Sequence, residues 1–211
     1  MSAPAVAVPI AVRRPLAPED AARADFYALL ARLLRAAPDN KLLHQIAHAA
    51  PLEAGGDAAL ARAWNALVAA SSAMDADAGG EEHDLLFSMP GKPVVSPYAG
   101  FHAGASAVDH PRVRVRTDLV ALGLAPRAEA TEPEDHFAAL FEAMRVLVAG
   151  GAGREPATLE EQRRFFRSHI EPAAAKFMAA LAAATPANYY RLVAALGAAF
   201  IALETESFSL D

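Results

Sequence analysis

The chain has 211 residues, 54% of them hydrophobic, with a formal charge of −6 and no cysteine. That length suits one substantial core. The acidity argues against a nucleic-acid surface, which needs clustered Lys and Arg, and favours a basic partner. Without thiols, disulfides, thiolate metal sites and cysteine nucleophiles are excluded.

The N-terminal stretch "MSAPAVAVPIAVRRPLAPED" contains Arg13-Arg14, but its apolar residues precede the charges and include prolines, the reverse of an export signal. Residues 1–17 are expected to be a disordered tail and 18–211 one folded domain. From there the periodicity is helical. A first helix carries Ala22, Phe26, Leu29, Leu30 and Leu33 and ends at Pro38, and Asp39 caps a second with Leu42, Leu43, Ile46 and Ala49 inward. A third runs from Asp57 through Leu60, Trp64, Leu67 and Val68, followed by a loop at Gly79-Gly80. "EEHDLLFSM" reads as a short helix stopped by "PGKPVVSPY", whose prolines exclude helix and interior strand.

In "PRVRVRTDLVALGL", Val113 and Val115 alternate with Arg112, Arg114 and Arg116 as in an edge strand. Val115, Leu119 and Leu122 continue at helical spacing to Gly123, a C-cap residue, so a helix is expected. The three arginines then point in different directions, as on a solvated face. "TEPEDHFAALFEAM" follows, with Thr131 and Glu134 in a capping-box pattern, Pro133 in the first turn, and Phe137, Leu140, Phe141, Met144 and Val148 inward. After "AGGAGREP", Thr158 and Glu161 form a second capping box, Pro172 breaks or kinks the helix, and Thr185 and Pro186 open the last one. Its stripe is Tyr189, Tyr190, Val193, Leu196, Phe200 and Ile201. The longest apolar run, Leu192–Leu203, is 12 residues, short of the ~20 that span a bilayer. The expected fold is all-α, a single-domain helical bundle.

Two places invite chemistry. His44 and His48 lie four apart, but Gln45 stands where a zinc protease needs a glutamate, and no third ligand is evident. No P-loop is present. In "EPEDH" the acidic residues complement a helix N-terminus, whereas a protonated His136 does not. At 100° per residue the Asp135 and His136 side chains diverge, so an acid–base dyad is disfavoured and no catalytic residue is assigned. Capping and ligand recognition remain as alternatives.

The string "EPEDHFAALFEAM" resembles the E-P-x-D-H signature of the TorD/DmsD/NarJ family of molybdoenzyme maturation chaperones. "RADFYALLARLLRAAPDNKLL", "EEHDLLFSMPGKPVVSPY", "LVALGLAP" and "FFRSHIEPAAAKF" are similar to other family segments in the same order, over most of residues 20 to 205. The resemblance implies a TorD-like, non-enzymatic cytoplasmic chaperone. Its partners would be the twin-arginine leader and apo form of a molybdenum-containing oxidoreductase. It would assist cofactor insertion and delay export. Some members serve a non-exported molybdoenzyme subunit instead, and a His-carboxylate metal hydrolase or a permanent adaptor subunit are the other classes weighed. Carried over, the peptide-binding residues are Leu86, Phe87, Tyr98, Glu132, Pro133, Asp135 and His136. GTP or molybdenum-cofactor binding has been proposed in the family; no cofactor is assigned here. The chain departs from the pattern at Gly100 and His102, where a serine and a second aromatic are usual nearby. It departs also at Leu119, where an aromatic is common, and at Ala173, where tryptophan often follows the proline.

Overall fold

The computed structural model describes residues 16–53, 55–88, 93–104, 111–125, 132–151 and 153–210. Among them every regular element is helical: α1 (Pro18–Arg35), α2 (Asn40–Ala47), α3 (Ala58–Ser71), α4 (Ala76–His83), a π-turn over Asp84–Ser88, α5 (Ala99–His102), α6 (Pro111–Ala121), α7 (Phe137–Ala149), α8 (Leu159–His169), α9 (Glu171–Ala183) and α10 (Tyr189–Leu210). Residues 1–15 of the expected tail and Thr131 lie outside the described residues.

Most boundaries follow from local chemistry. Asp39 and Asp57 accept the Leu42 and Leu60 N–H groups as N-caps of α2 and α3. Thr158 and Glu161 close a reciprocal capping box on α8. Gly123, at φ +67°, turns the chain out of α6 in a left-handed conformation that a side chain disfavours. Pro172 sits in the first turn of α9, whose missing N–H has no helical partner to lose, so α8 and α9 separate at Ile170.

Three expectations need correction. Gly79 and Gly80 are inside α4, not in a loop, because Gly79 packs against the Pro38 ring, where a Cβ would come within 3.1 Å of Cγ. Helix α10 begins at Tyr189, leaving Thr185 and Pro186 in the preceding turn. Its start is fixed from outside: the buried Glu82 carboxylate of α4 accepts the Asn188, Tyr189 and Tyr190 N–H groups at 2.8, 3.0 and 2.7 Å. Those are the unpaired donors of a helix N-terminus, and a long-range carboxylate satisfies them better than the local threonine. Finally, α7 begins at Phe137, three residues after the expected capping box, so Glu134 and Pro133 precede the helix.

The core forms where α1 lies along α7 and α10 packs on α9, α3 and α1. Tyr27 of α1, fully buried, meets Phe200 of α10 edge-on at 4.7 Å, and Phe137 of α7 stacks on Phe177 of α9 at 4.3 Å. The inward face of α1 is centred on Tyr27, Leu30 and Leu34; Ala22 is exposed. All five expected stripe residues of α7 and all six of α10 are buried. Helix α10 is long and apolar enough to cross a membrane on length and composition, but ten of its residues are buried in this core.

Candidate functional site

The two motif segments meet. From Pro93 the chain returns to the π-turn, where Val95 N–H donates to the Leu86 carbonyl at 3.1 Å. It then runs antiparallel to the segment that enters α7: Ala99 N–H donates to the Asp135 carbonyl and Phe137 N–H to the Pro97 carbonyl, both at 2.9 Å. Tyr98 and His136 pair across this seam, with their rings edge to face at 5.5 Å. Proline keeps both segments short and irregular, so the seam is two hydrogen bonds long, and its outward groups turn to local partners: the Tyr98 carbonyl accepts from the Phe101 N–H at 3.2 Å and the His136 N–H donates to the Pro133 carbonyl at 3.0 Å.

Two departures from the family pattern support this seam. His102 Nε2 donates to the Ser96 carbonyl at 2.8 Å, and its ring packs on Phe177, pinning the proline loop to the core. Gly100 lies under Pro111; a Cβ there would meet the Pro111 Cγ at 2.6 Å and Asp135 Oδ2 at 3.4 Å. A serine at 100 would push α6 off the seam. Ala173 is buried, and Leu119 is partly buried against the core.

His136 is the N-cap of α7. Its Nδ1 accepts the Ala138 N–H at 3.0 Å, which requires the neutral tautomer with the proton on Nε2. Burial pushes its pKa down to about 4, with Arg35 and His83 adding to the fall and Glu132 opposing it. Asp135 is half-buried, and burial pushes its carboxyl up. Glu132, also half-buried, lies 3.8 Å from Arg35.

Glu134 behaves differently from its neighbours. It is buried, and its two oxygens accept from Arg112 Nε at 2.7 Å and Arg116 Nε at 2.6 Å. Burial alone would raise its pKa, but these bonds and that from its own N–H hold the carboxyl down at about 2. The sequence treated it as half of a helix cap and the arginines as a solvated face. The overlooked signal is their spacing: Arg112 and Arg116 are four apart, hence neighbours on one helix face.

Of the seven residues carried over, Tyr98, Glu132, Pro133 and Asp135 are partly exposed at the seam, and His136 lies within it at 7% exposure. Phe87 is partly exposed and packs on His83 and Tyr190. Leu86 is fully buried and holds the proline loop through its backbone; Leu85, 46% exposed, is the leucine that faces solvent. His44 and His48 are exposed and stack at 4.0 Å, and among the described residues no group of three His, Asp or Glu side chains could hold a metal. A separate cleft between α6 and α8 is lined by Arg114, Thr117, Asp118, Ser168 and His169. There His169 donates to Asp118 at 2.7 Å.

The seam, the proline loop and α6 all lie within residues 53–179, which match the sequence model of a family described as nitrate reductase delta subunit. The match covers more than half of the chain. The chain belongs to the nitrate reductase delta subunit family. Comparison with curated proteins gives no match. Members of the nitrate reductase delta family, which groups with the TorD-like chaperones, assist the assembly of molybdoenzymes, and the all-helical architecture seen here agrees with that fold. The matched span leaves out α1 and α10, the two helices that flank α7 and α9 in the core.

Proposed function

We propose that this protein is a cytoplasmic, non-enzymatic maturation chaperone that binds the twin-arginine leader of an apo-molybdoenzyme and delays export until the cofactor is in place. The observation that carries the reading is the Tyr98–His136 seam. It joins the two segments of the family resemblance into one surface of carboxylates and an aromatic ring. A leader with two arginines followed by an apolar run needs carboxylates for its guanidiniums and apolar or aromatic contacts for the rest. Asp135 and Glu132 supply the first; Tyr98, Phe87 and the exposed Leu85 supply the second. His136, with its proton on Nε2, supplies a donor for a peptide carbonyl.

Calorimetric titration with a leader peptide tests this. Affinity should fall as ionic strength rises, and Asp135→Ala and Glu132→Ala should each weaken it about tenfold, the scale of a lost charge-assisted hydrogen bond. Equal affinity in both variants and the parent removes this surface from the site.

The family's description favours a second reading, service to a non-exported nitrate reductase subunit. A peptide from such a subunit, lacking paired arginines, would then bind better than the leader.

A further inference from the structure

Glu134 occupies the position that the Glu-Pro-x-Asp-His pattern leaves open, yet it is the most completely engaged carboxylate of the motif. Its side chain is 10% exposed, while the two guanidiniums over it, Arg112 and Arg116, are 55% and 57% exposed. The arginines are therefore the outer layer and the carboxylate the inner one. They come from a helix with little apolar anchoring: α6 buries only Val115 of its 11 residues, whereas α7 buries eight of 13. Beyond Val115, the partly buried Leu119 and the Pro111 ring over Gly100, α6 is tied by polar contacts, the Glu134 pair and the Asp118–His169 bond. Elements held this way open at lower free energy than core helices.

Resting on the leader-binding reading above, we infer that Glu134 is a guanidinium-binding site of the same surface and that Arg112 and Arg116 fill it as an internal ligand, displaced by the arginine pair of an incoming leader. Chemically the exchange is like for like. A buried carboxylate keeps two charge-assisted bonds throughout, so it is never left unpaired. What is lost is the tie of α6, and Arg112 and Arg116, more than half exposed already, turn out into water. The internal pair also sets selectivity: a ligand with one cation or a compact ammonium replaces two forked guanidiniums poorly.

The test compares two synthetic peptides, one with adjacent arginines before a leucine- and alanine-rich segment, the other with glutamines in place of the arginines. They are titrated against the full-length protein and its variants, each checked for helical content by circular dichroism. Arg112→Gln with Arg116→Gln should tighten binding of the arginine peptide at least tenfold and leave the glutamine peptide unchanged. Arg112→Lys with Arg116→Lys, which keeps the charges, should fall between that variant and the parent. Glu134→Gln should lower the preference for arginine over glutamine about tenfold, leaving the part that Asp135 and Glu132 supply, and it needs no substitution in α6. On adding the arginine peptide to the parent protein, amide exchange across residues 111–121 should accelerate. If the arginine peptide binds the parent and both arginine variants equally and Glu134→Gln keeps its preference, the internal-ligand inference is wrong while leader binding at the seam stands. If no form of the protein binds the arginine peptide, both fall together.

Discussion

At the scale of single residues, His136 resolves a conflict that the sequence exposes. A charged imidazole is unfavourable at a helix N-terminus, where backbone N–H groups point outward. Kept neutral, the same ring becomes an acceptor and caps the helix through Nδ1. The consequence is a pH dependence of stability. The pKa falls from 6.5 to about 4 on folding. Between those values the unfolded chain binds a proton that the folded chain refuses, so stability present above pH 6.5 is lost as pH drops toward 4. The loss amounts to about 3 kcal/mol in total. Urea unfolding at a series of pH values checks it. His136→Asn, which keeps a capping oxygen but cannot titrate, should flatten the profile in this window by close to one proton. A profile with the same slope in both proteins would place the titration elsewhere, His83 and His169 being the other histidines that burial holds low.

At the scale of elements, helix interiors were legible where an apolar stripe marks them, which the Gly79-Gly80 stretch of α4 lacks, and helix starts were legible only where the cap is local. Asp39, Asp57 and the Thr158–Glu161 box are short-range devices, so a window of four residues contains the whole signal. The starts of α7 and α10 are set by contacts that no window holds. His136 caps α7 because the pairing with Tyr98 fixes it there, and Glu82 caps α10 from 106 to 108 residues away. The candidate site divides in the same way. Its residue types were readable in "EPEDH", but the buried role of Leu86 and the capture of Glu134 by α6 depend on tertiary packing. Glu82 gives a direct test. Glu82→Gln replaces one accepting oxygen by an amide that faces three N–H donors, and should cost about 2 kcal/mol, the scale of a charged hydrogen-bond acceptor at a helix N-terminus. The denaturation midpoint reports the loss. Amide exchange at Asn188, Tyr189 and Tyr190 should accelerate before that of the rest of α10.

At the scale of the whole molecule, the ends of the described chain hold each other. Glu204 of α10 is 1% exposed, and accepts from Arg23 Nε at 2.8 Å, Arg23 Nη2 at 3.0 Å and the Tyr27 hydroxyl at 2.8 Å, all from α1. Burial and the Glu204 carboxylate both push the Tyr27 hydroxyl's pKa up, so it stays protonated and donates. This tie lies outside the span that matches the family. It clamps α1, which lies along α7, to the helix that Glu82 caps, and so links the site's foundation to both termini of the bundle. Removing one partner strands the other in the interior, whereas removing both with apolar replacements leaves no unpaired charge. Glu204→Ala should therefore lower the unfolding free energy by about 3–5 kcal/mol. Glu204→Met combined with Arg23→Met should recover most of that, leaving chiefly the unpaired Tyr27 hydroxyl. Chemical denaturation of the two variants and the parent decides between a tie that adds net stability and one that mainly fixes how α1 and α10 align. A double variant as weak as Glu204→Ala supports the first. Near-parental stability supports the second, and then the ion pair's contribution is to select one register of the outer helices around a core that apolar packing alone would hold.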